Sequence, residues 1–219
     1  LIPKIDNWLE EMLHLDGKIS CFNDSAINVA PSYSELNGYA LRLGIKIIPI
    51  KKIFSEKLIC NRYSESGHII IKNKDMKIII DASKLGPDYL PAHAHADTLS
   101  FELSYKSKRV FVNGGTSTYN ISEKKYIDQF IPGNFENIRE YERSTMAHNT
   151  VTVNGISSSE VWGSFRVARR ANILHTSVRQ IDQKFFIDAS HDGYRRIKGK
   201  PIHSRNWEIS DQLIIVRDT

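Results

Sequence analysis

From about residue 65 the chain is a succession of short β-prone runs, each closed by a turn signal, and that rhythm leaves few folds open. His68 to Lys72, Lys77 to Asp81, Leu99 to Tyr105, Lys108 to Asn113, Thr150 to Val153, Val161 to Ala168, Ile173 to Val178, Lys184 to Asp188 and Trp207 to Val216 all read as strands. Asn73-Lys74-Asp75, Lys106-Ser107, Asn154-Gly155 and Ser210-Asp211 separate them. Connections this short suit antiparallel neighbours, because a parallel pair needs a long crossover. The expected fold is mainly β, a large antiparallel β-sandwich over residues 61–219. Residues 120–146, with Tyr126, Phe130, Pro132-Gly133 and Phe135, break the rhythm and read as a long insertion or lid.

Residues 1–60 follow a different period. Ile5, Trp8, Leu9, Met12 and Leu13 fall on one helix face. A second helix is expected from Ser32 to Leu43, capped by Ser32 or Ser34, with Leu36, Tyr39, Ala40 and Leu43 as its apolar stripe and Gly44 as its stop. Phe22-Asn23-Asp24-Ser25-Ala26 between them reads as a connecting turn. The chain begins with Leu1 rather than Met and stops directly after the strand-like Leu213-Ile214-Ile215-Val216, so the expectation is part of a longer protein.

With 219 residues, 41% of them hydrophobic, a substantial core is affordable. The net charge of +5 includes local density at Arg166, Arg169 and Arg170 and again at Arg195, Arg196, Lys198 and Lys200. Scattered charge of this kind is ordinarily a solvated surface, and its sharper reading is an acidic partner. No nucleic-acid-binding motif accompanies it, which favours an acidic polysaccharide over nucleic acid. No stretch approaches the roughly 20 apolar residues of a membrane-spanning helix. Cys21 and Cys60 are in no metal-type spacing and imply no disulfide.

The chemistry concentrates in Pro91-Ala92-His93-Ala94-His95-Ala96-Asp97-Thr98-Leu99-Ser100-Phe101-Glu102-Leu103. Read as a strand, His93, His95 and Asp97 share a face with Leu99, Phe101, Leu103 and Tyr105, which aims the histidines inward. Val110-Phe111-Val112-Asn113-Gly114-Gly115-Thr116-Ser117-Thr118-Tyr119 is a strand entering a glycine-rich turn, where the backbone can approach a neighbour closely. Ala147-His148-Asn149-Thr150-Val151 sets a third histidine at the start of a β-run. His14, His68 and His175 are expected to be ordinary core or surface residues. A zinc ion could take His95, His148 and an oxygen from Asp97 or Asn113.

In order, His-x-His-x-Asp with Ser-Phe after it, Val-Phe-Val-Asn-Gly-Gly, Ala-His-Asn-Thr-Val and His-Asp-Gly-Tyr (residues 191–194) resemble the heparinase II/III-like family of polysaccharide lyases. The resemblance implies an (α/α) toroid followed by an antiparallel β-sandwich, with residues 1–60 as the toroid's last helices and linker. It implies β-elimination on a uronic-acid polysaccharide such as a glycosaminoglycan or alginate. It implies His93 and Tyr119 as catalytic, Arg143 and Asn149 as substrate-binding, and a structural zinc held by His95, Asn113 and His148, with Asn113 standing where zinc-binding members carry Asp. A periplasmic or extracellular location goes with the family. The toroid residues that complete the site have no counterpart in this chain, so the chain alone is expected to be inactive. The rivals are a carbohydrate-binding sandwich without catalysis, a metal-dependent hydrolase, and a purely structural sandwich.

Overall fold

The structure is a computed structural model and describes residues 2–45, 55–122 and 135–219. Among the described residues, eleven strands form two main sheets and a hairpin. The first sheet has the order β1 (Ile59–Tyr63), β2 (His68–Lys72), β3 (Met76–Asp81), β4 (Phe101–Tyr105), β5 (Lys108–Phe111). The second has the order β11 (Ile214–Asp218), β10 (His203–Ile209), β9 (Lys184–His191), β8 (Ile173–Ile181). Among the described residues, strands β6 (Glu160–Trp162) and β7 (Arg166–Ala168) pair only with each other. Every pairing is antiparallel.

Alternation builds the core. Ile69, Ile71, Ile78, Ile80, Phe101 and Leu103 of the first sheet meet Phe185, Ile187, Ala189, Trp207 and Ile209 of the second in one buried cluster. Strands β9 and β10 alternate buried and half-buried along their length, as a sheet with one covered face should. Strands β2 and β3 do not alternate. Ile70 and Ile79 point the other way, into a second cluster with Met12 and Phe22. Burying an Ile side chain contributes about 1.5–3 kcal/mol, so the uninterrupted isoleucine runs mark a sheet packed on both faces. Its second cover is the N-terminal segment, helix α1 (Ile2–Glu11) and the chain that follows. The same segment explains why Glu102 and Ser104 of β4 are buried. Glu102 meets His14 Nε2 at 2.7 Å and accepts from the Cys21 amide at 2.7 Å.

Helix α2 (Tyr33–Arg42) begins at Ser32, which caps it in a reciprocal box with Glu35. Gly44 follows with φ +70°, a left-handed stop. The expected apolar stripe is mostly exposed: Ala40 is buried, whereas Leu36, Tyr39 and Leu43 are not.

Five expectations change. Strand β1 was not expected at all. Val161 to Ala168 is the β6–β7 hairpin, turning at Gly163, and Trp207 to Val216 is β10 and β11. Thr150 to Val153 is no strand; Val153 makes one isolated bridge with Ile156 across the Asn154-Gly155 turn. Residues 91–99 are a series of turns, and β4 starts only at Phe101. Leu99 is the reason: its φ is +63°, which no strand allows. Its amide donates to the Asp81 carbonyl and its own carbonyl accepts from Arg205 Nη1, so both ends of the strained residue are held. Of the expected insertion, residues 123–134 lie outside the described residues; the rest includes a short helix α3 (Ile138–Arg143) and a 3₁₀ turn at Thr145–Ala147.

Candidate functional site

The His93–His95 segment is organised by Asp24, from the turn whose residues read as a connector. Gly115, at φ +62°, brings the glycine-rich loop against this turn so closely that a Cβ there would lie 2.0 Å from the Ser25 carbonyl oxygen. Thr116 N–H donates to that same oxygen at 3.0 Å. Asp24 is thereby carried over the end of the first sheet. Its carboxylate accepts from His93 Nδ1 at 2.8 Å and from His95 Nε2 at 2.7 Å. Arg139 grips the same carboxylate with both terminal nitrogens, Nη2 at 2.8 Å. Burial alone would raise the Asp24 carboxyl, but the hydrogen bonds from His95, Arg139 and His93 hold it well below the usual carboxylate range. It is therefore an acceptor, and both histidines donate to it.

His93 and His95 then part company. The His93 side chain is 61% exposed, whereas that of His95 is fully buried. With Nδ1–H committed to Asp24, His93 presents Nε2 outward. His95 turns Nδ1 to His148 Nε2 at 3.3 Å, and His148 Nδ1 lies 3.1 Å from Asn113 Oδ1. Burial, then the neighbouring His95, push the His148 imidazole down to about 3. Burial also lowers His95, against the pull of Asp24. Both rings are neutral, and two proton arrangements follow. With Asn113 placed as it is, His148 donates from Nδ1, and two nitrogen lone pairs face each other across 3.3 Å. With the Asn113 amide turned over, His148 donates to His95 and the otherwise unpartnered buried Asn113 Nδ2 finds His148 Nδ1. In neither is Asn113 a ligand alongside Nε2, because it sits on the far nitrogen of the ring. Asp97 is also apart: buried beside Asp81, its carboxyl is pushed well above the usual range by burial and by that neighbouring charge. Among the described residues no group of three His, Cys, Asp or Glu side chains is placed to hold a metal ion.

The remaining expected residues divide. Tyr119 stands beside His93, ring centroids 6.0 Å apart, and is exposed. Arg143 is fully buried. Its five N–H groups donate to the carbonyls of Ala94, Trp162, Gly163 and Arg166, so it pins the β6–β7 hairpin to the histidine segment rather than meeting a substrate. Asn149 clips Phe101 O and Val112 O with its amide nitrogen, a bridge across β4 and β5 rather than a free contact. Its own carbonyl accepts from Arg205 Nη1 at 2.6 Å. Arg205 is in turn held by Asp218, which also accepts from His203 Nε2 at 2.7 Å. His203 Nδ1 accepts from His191 Nε2 at 3.0 Å, and His191 Nδ1 accepts from Gly193 N–H at 3.1 Å. This second histidine pair is a buried tie between β9, β10 and β11. His14 and His68 are buried in the core and His175 is exposed on β8, as expected of ordinary histidines.

Three residues escaped the sequence reading: Asp24, Arg139 and Phe165. Arg139 and Arg143 stand four apart on one short helix, a spacing at which like charges repel. That pairing was the one legible sign that each needs a partner elsewhere. A cavity of about 1160 Å³, lined by Glu11, His14, Cys60, Lys72 and Lys77 among others, lies between the N-terminal segment and the first sheet and contains none of these residues.

The sequence profile described as "Heparinase II/III-like, C-terminal" matches residues 59–219. No curated protein matches the sequence. Among solved structures, the crystal structure of Heparinase III superposes with a TM-score of 0.65 at 13% identity, covering 99% of this chain and 33% of the other. A heparan sulfate lyase HepC mutant from Pedobacter heparinus superposes with a TM-score of 0.62 at 16% identity, covering 95% of this chain and 30% of the other. The chain therefore spans about a third of the length of the enzymes it resembles, and at these identities the likeness is one of fold. The profile match, the sandwich and the antiparallel order of its sheets together make this chain a member of the heparinase II/III-like family, carrying its C-terminal β domain.

Proposed function

We propose that this chain supplies the sandwich side of the active site of a lyase that cleaves a uronic-acid polysaccharide by β-elimination. The observation that carries the reading is His93: an exposed imidazole whose Nδ1 is tied to an ionised, buried carboxylate and whose Nε2 is turned to solvent. Asp24 fixes the tautomer and supports the imidazolium, as the carboxylate does in other carboxylate–imidazole pairs. In β-elimination the C5–H bond breaks toward a base and its electron pair forms the C4–C5 double bond. The C4–O4 bond breaks as that double bond forms, and O4 leaves with its electron pair and takes a proton from an acid. Among the described residues, His93 Nε2 and the Tyr119 hydroxyl are two groups of this surface that can move those protons. The uronate carboxylate must also be neutralised for C5–H to be acidic. Arg139 and Arg143 have every donor committed to Asp24, Thr116 and backbone carbonyls, so that task falls to a group outside this cluster.

The zinc expectation remains a proposal of the same reading. His95 Nδ1 and His148 Nε2 supply two nitrogens at a spacing that one tetrahedral ion with nitrogen bonds of about 2.0–2.1 Å spans. Asp24 and Asn113 would orient the two rings from behind. An ion there would be structural, and no proton transfer runs through it.

The test is turnover by the protein in its full natural length. It is incubated with heparan sulfate, chondroitin and alginate, and the ultraviolet absorbance of the unsaturated product is followed. His93→Ala should lower turnover by about 10²–10⁴-fold, the scale of a lost acid–base group. Wild-type turnover in that variant removes His93 from the mechanism, and no product from any polymer overturns the lyase reading.

A further inference from the structure

His93 is not alone on its surface. Its ring contacts Phe165 at 5.5 Å and Tyr119 at 6.0 Å between centroids, and these two contact each other at 5.2 Å. All three are exposed, Phe165 at 41% and Tyr119 at 47%. Beneath them lies the fully buried Arg139, its guanidinium carbon 5.1 Å from the Tyr119 centroid and 5.6 Å from that of Phe165. Exposed single aromatics are ordinary, but this cluster is built. Phe165 sits in the turn of the β6–β7 hairpin, and that turn is tied down three times. Arg139 Nε and Nη2 donate to the Ser164 carbonyl at 3.1 and 2.9 Å. Ser164 Oγ donates to the Tyr119 carbonyl at 2.9 Å. Arg143 holds Trp162, Gly163 and Arg166. Two fully buried arginines thus hold a hairpin whose two strands bond to no other sheet, with an apolar ring at its tip facing water.

We propose that Phe165 is a stacking platform for a pyranose ring of the polymer, one subsite beside the bond that His93 and Tyr119 serve. The proposal deepens the lyase reading and rests on it for the identity of the polymer. A sugar ring has an apolar C–H face and a polar rim. A rigid aromatic covers that face at little conformational cost and leaves the rim to water and to charged neighbours. Arg166 follows Phe165 directly and is exposed, and among the described residues it enters no ion pair, which suits a polymer that carries carboxylates. Covering the ring removes from water about half of a Phe side chain. On the usual area scale that corresponds to a Kd change of about five- to tenfold.

The experiment uses the protein in its full natural length and uronic-acid hexasaccharides prepared from heparan sulfate, chondroitin and alginate. Binding is measured by titration calorimetry and turnover by product absorbance. Phe165→Ala should weaken binding of the preferred hexasaccharide about five- to tenfold. It should raise KM by a similar factor, with kcat changed less than threefold. Phe165→Tyr should restore wild-type binding. Phe165→Leu keeps apolar volume over Arg139 but lacks a flat face, and should remain impaired while its unfolding midpoint matches the wild type. A Phe165→Leu variant that binds as tightly as the wild type, or a Phe165→Ala variant that loses kcat alone, overturns the platform. If product forms and Phe165→Ala behaves as wild type, the platform falls and the lyase reading stands. Binding that depends on Phe165 without product from any polymer overturns the lyase reading and leaves the platform standing. Binding of none of the three overturns both.

Discussion

Asp24→Asn is the perturbation that asks most of this structure. The Asp24 carboxylate accepts two bonds from Arg139 and one each from His93 and His95. Arg139 is fully buried and cannot shed its charge. Removing one partner of a buried pair costs about 3–5 kcal/mol, because the other is left as an uncompensated ion. Asparagine keeps the shape but adds an amide NH₂ that must point at a guanidinium or an imidazole N–H, so it gives no relief. A domain is stable by about 5–15 kcal/mol, so the variant should still fold. With a urea slope of about 2 kcal/mol per M, its midpoint should fall by about 2 M. A cycle with Arg139→Met apportions the loss: the two positions should couple by about 2 kcal/mol or more. Nitrogen-15 shifts of His93 supply the second readout. The wild type should show one tautomer protonated at Nδ1, and the variant a mixture. A midpoint within about 0.3 M of wild type, or additive losses in the cycle, would refute the argument that Asp24 is the hub.

Two further outcomes follow from other parts of the molecule. Lys77 on β3 is 5% exposed, and burial pulls its ammonium down from 10.5 to about 8. Below pH 8 the folded state carries the cost of a buried charge. Between pH 8 and 10.5 the folded state gives up its proton before the unfolded chain does, and stability rises with pH. Lys77→Met should therefore be more stable than wild type by about 3 kcal/mol at pH 7, an advantage that fades toward pH 10.5; urea melts of both proteins across that window check the sign. Asn113→Asp places a carboxylate on the His95–His148 pair. It should raise the zinc retained after dialysis against a weak chelator, measured by elemental analysis, and zinc retained by neither protein would remove this pair as a metal site.

The fold was readable where local chemistry and burial agree. The Ser32–Glu35 box, the Gly44 stop and the isoleucine runs of β2 and β3 each announce their structure within a few residues. The alternation of His93, His95 and Asp97 announced the wrong one. It looks like strand spacing, but the segment turns at Leu99, whose positive φ is held by Asp81 and Arg205, contacts that no local pattern contains. The closeness of His95 and His148 was legible through family resemblance. That Asn113 lies on the far nitrogen of His148 was not, because it depends on ring orientation. Arg143 and Asn149 look like substrate contacts as residue types, and only their bonded carbonyls show that each is spent inside the protein. Asp24 was invisible because its partners lie 69, 71 and 115 residues away and its neighbours spell an ordinary turn.

The distance between Asp24 and Arg139 also sets an order of events during synthesis. At about 5–20 residues per second, the 115 residues between them take on the order of ten seconds to emerge. Through that interval Asp24 is an ordinary hydrated carboxylate, and β1 to β5 can pair while it waits. Where β1 to β5 pair in that interval, Arg139 meets a counter-ion that is already in place. In that order the cation is not the first of the two to leave water. A circular permutant that makes residues 135–219 ahead of residues 2–122 would reverse the order. Arg139 would then meet the β6–β7 hairpin with its guanidinium still lacking Asp24, and early aggregation is where that reversal would show.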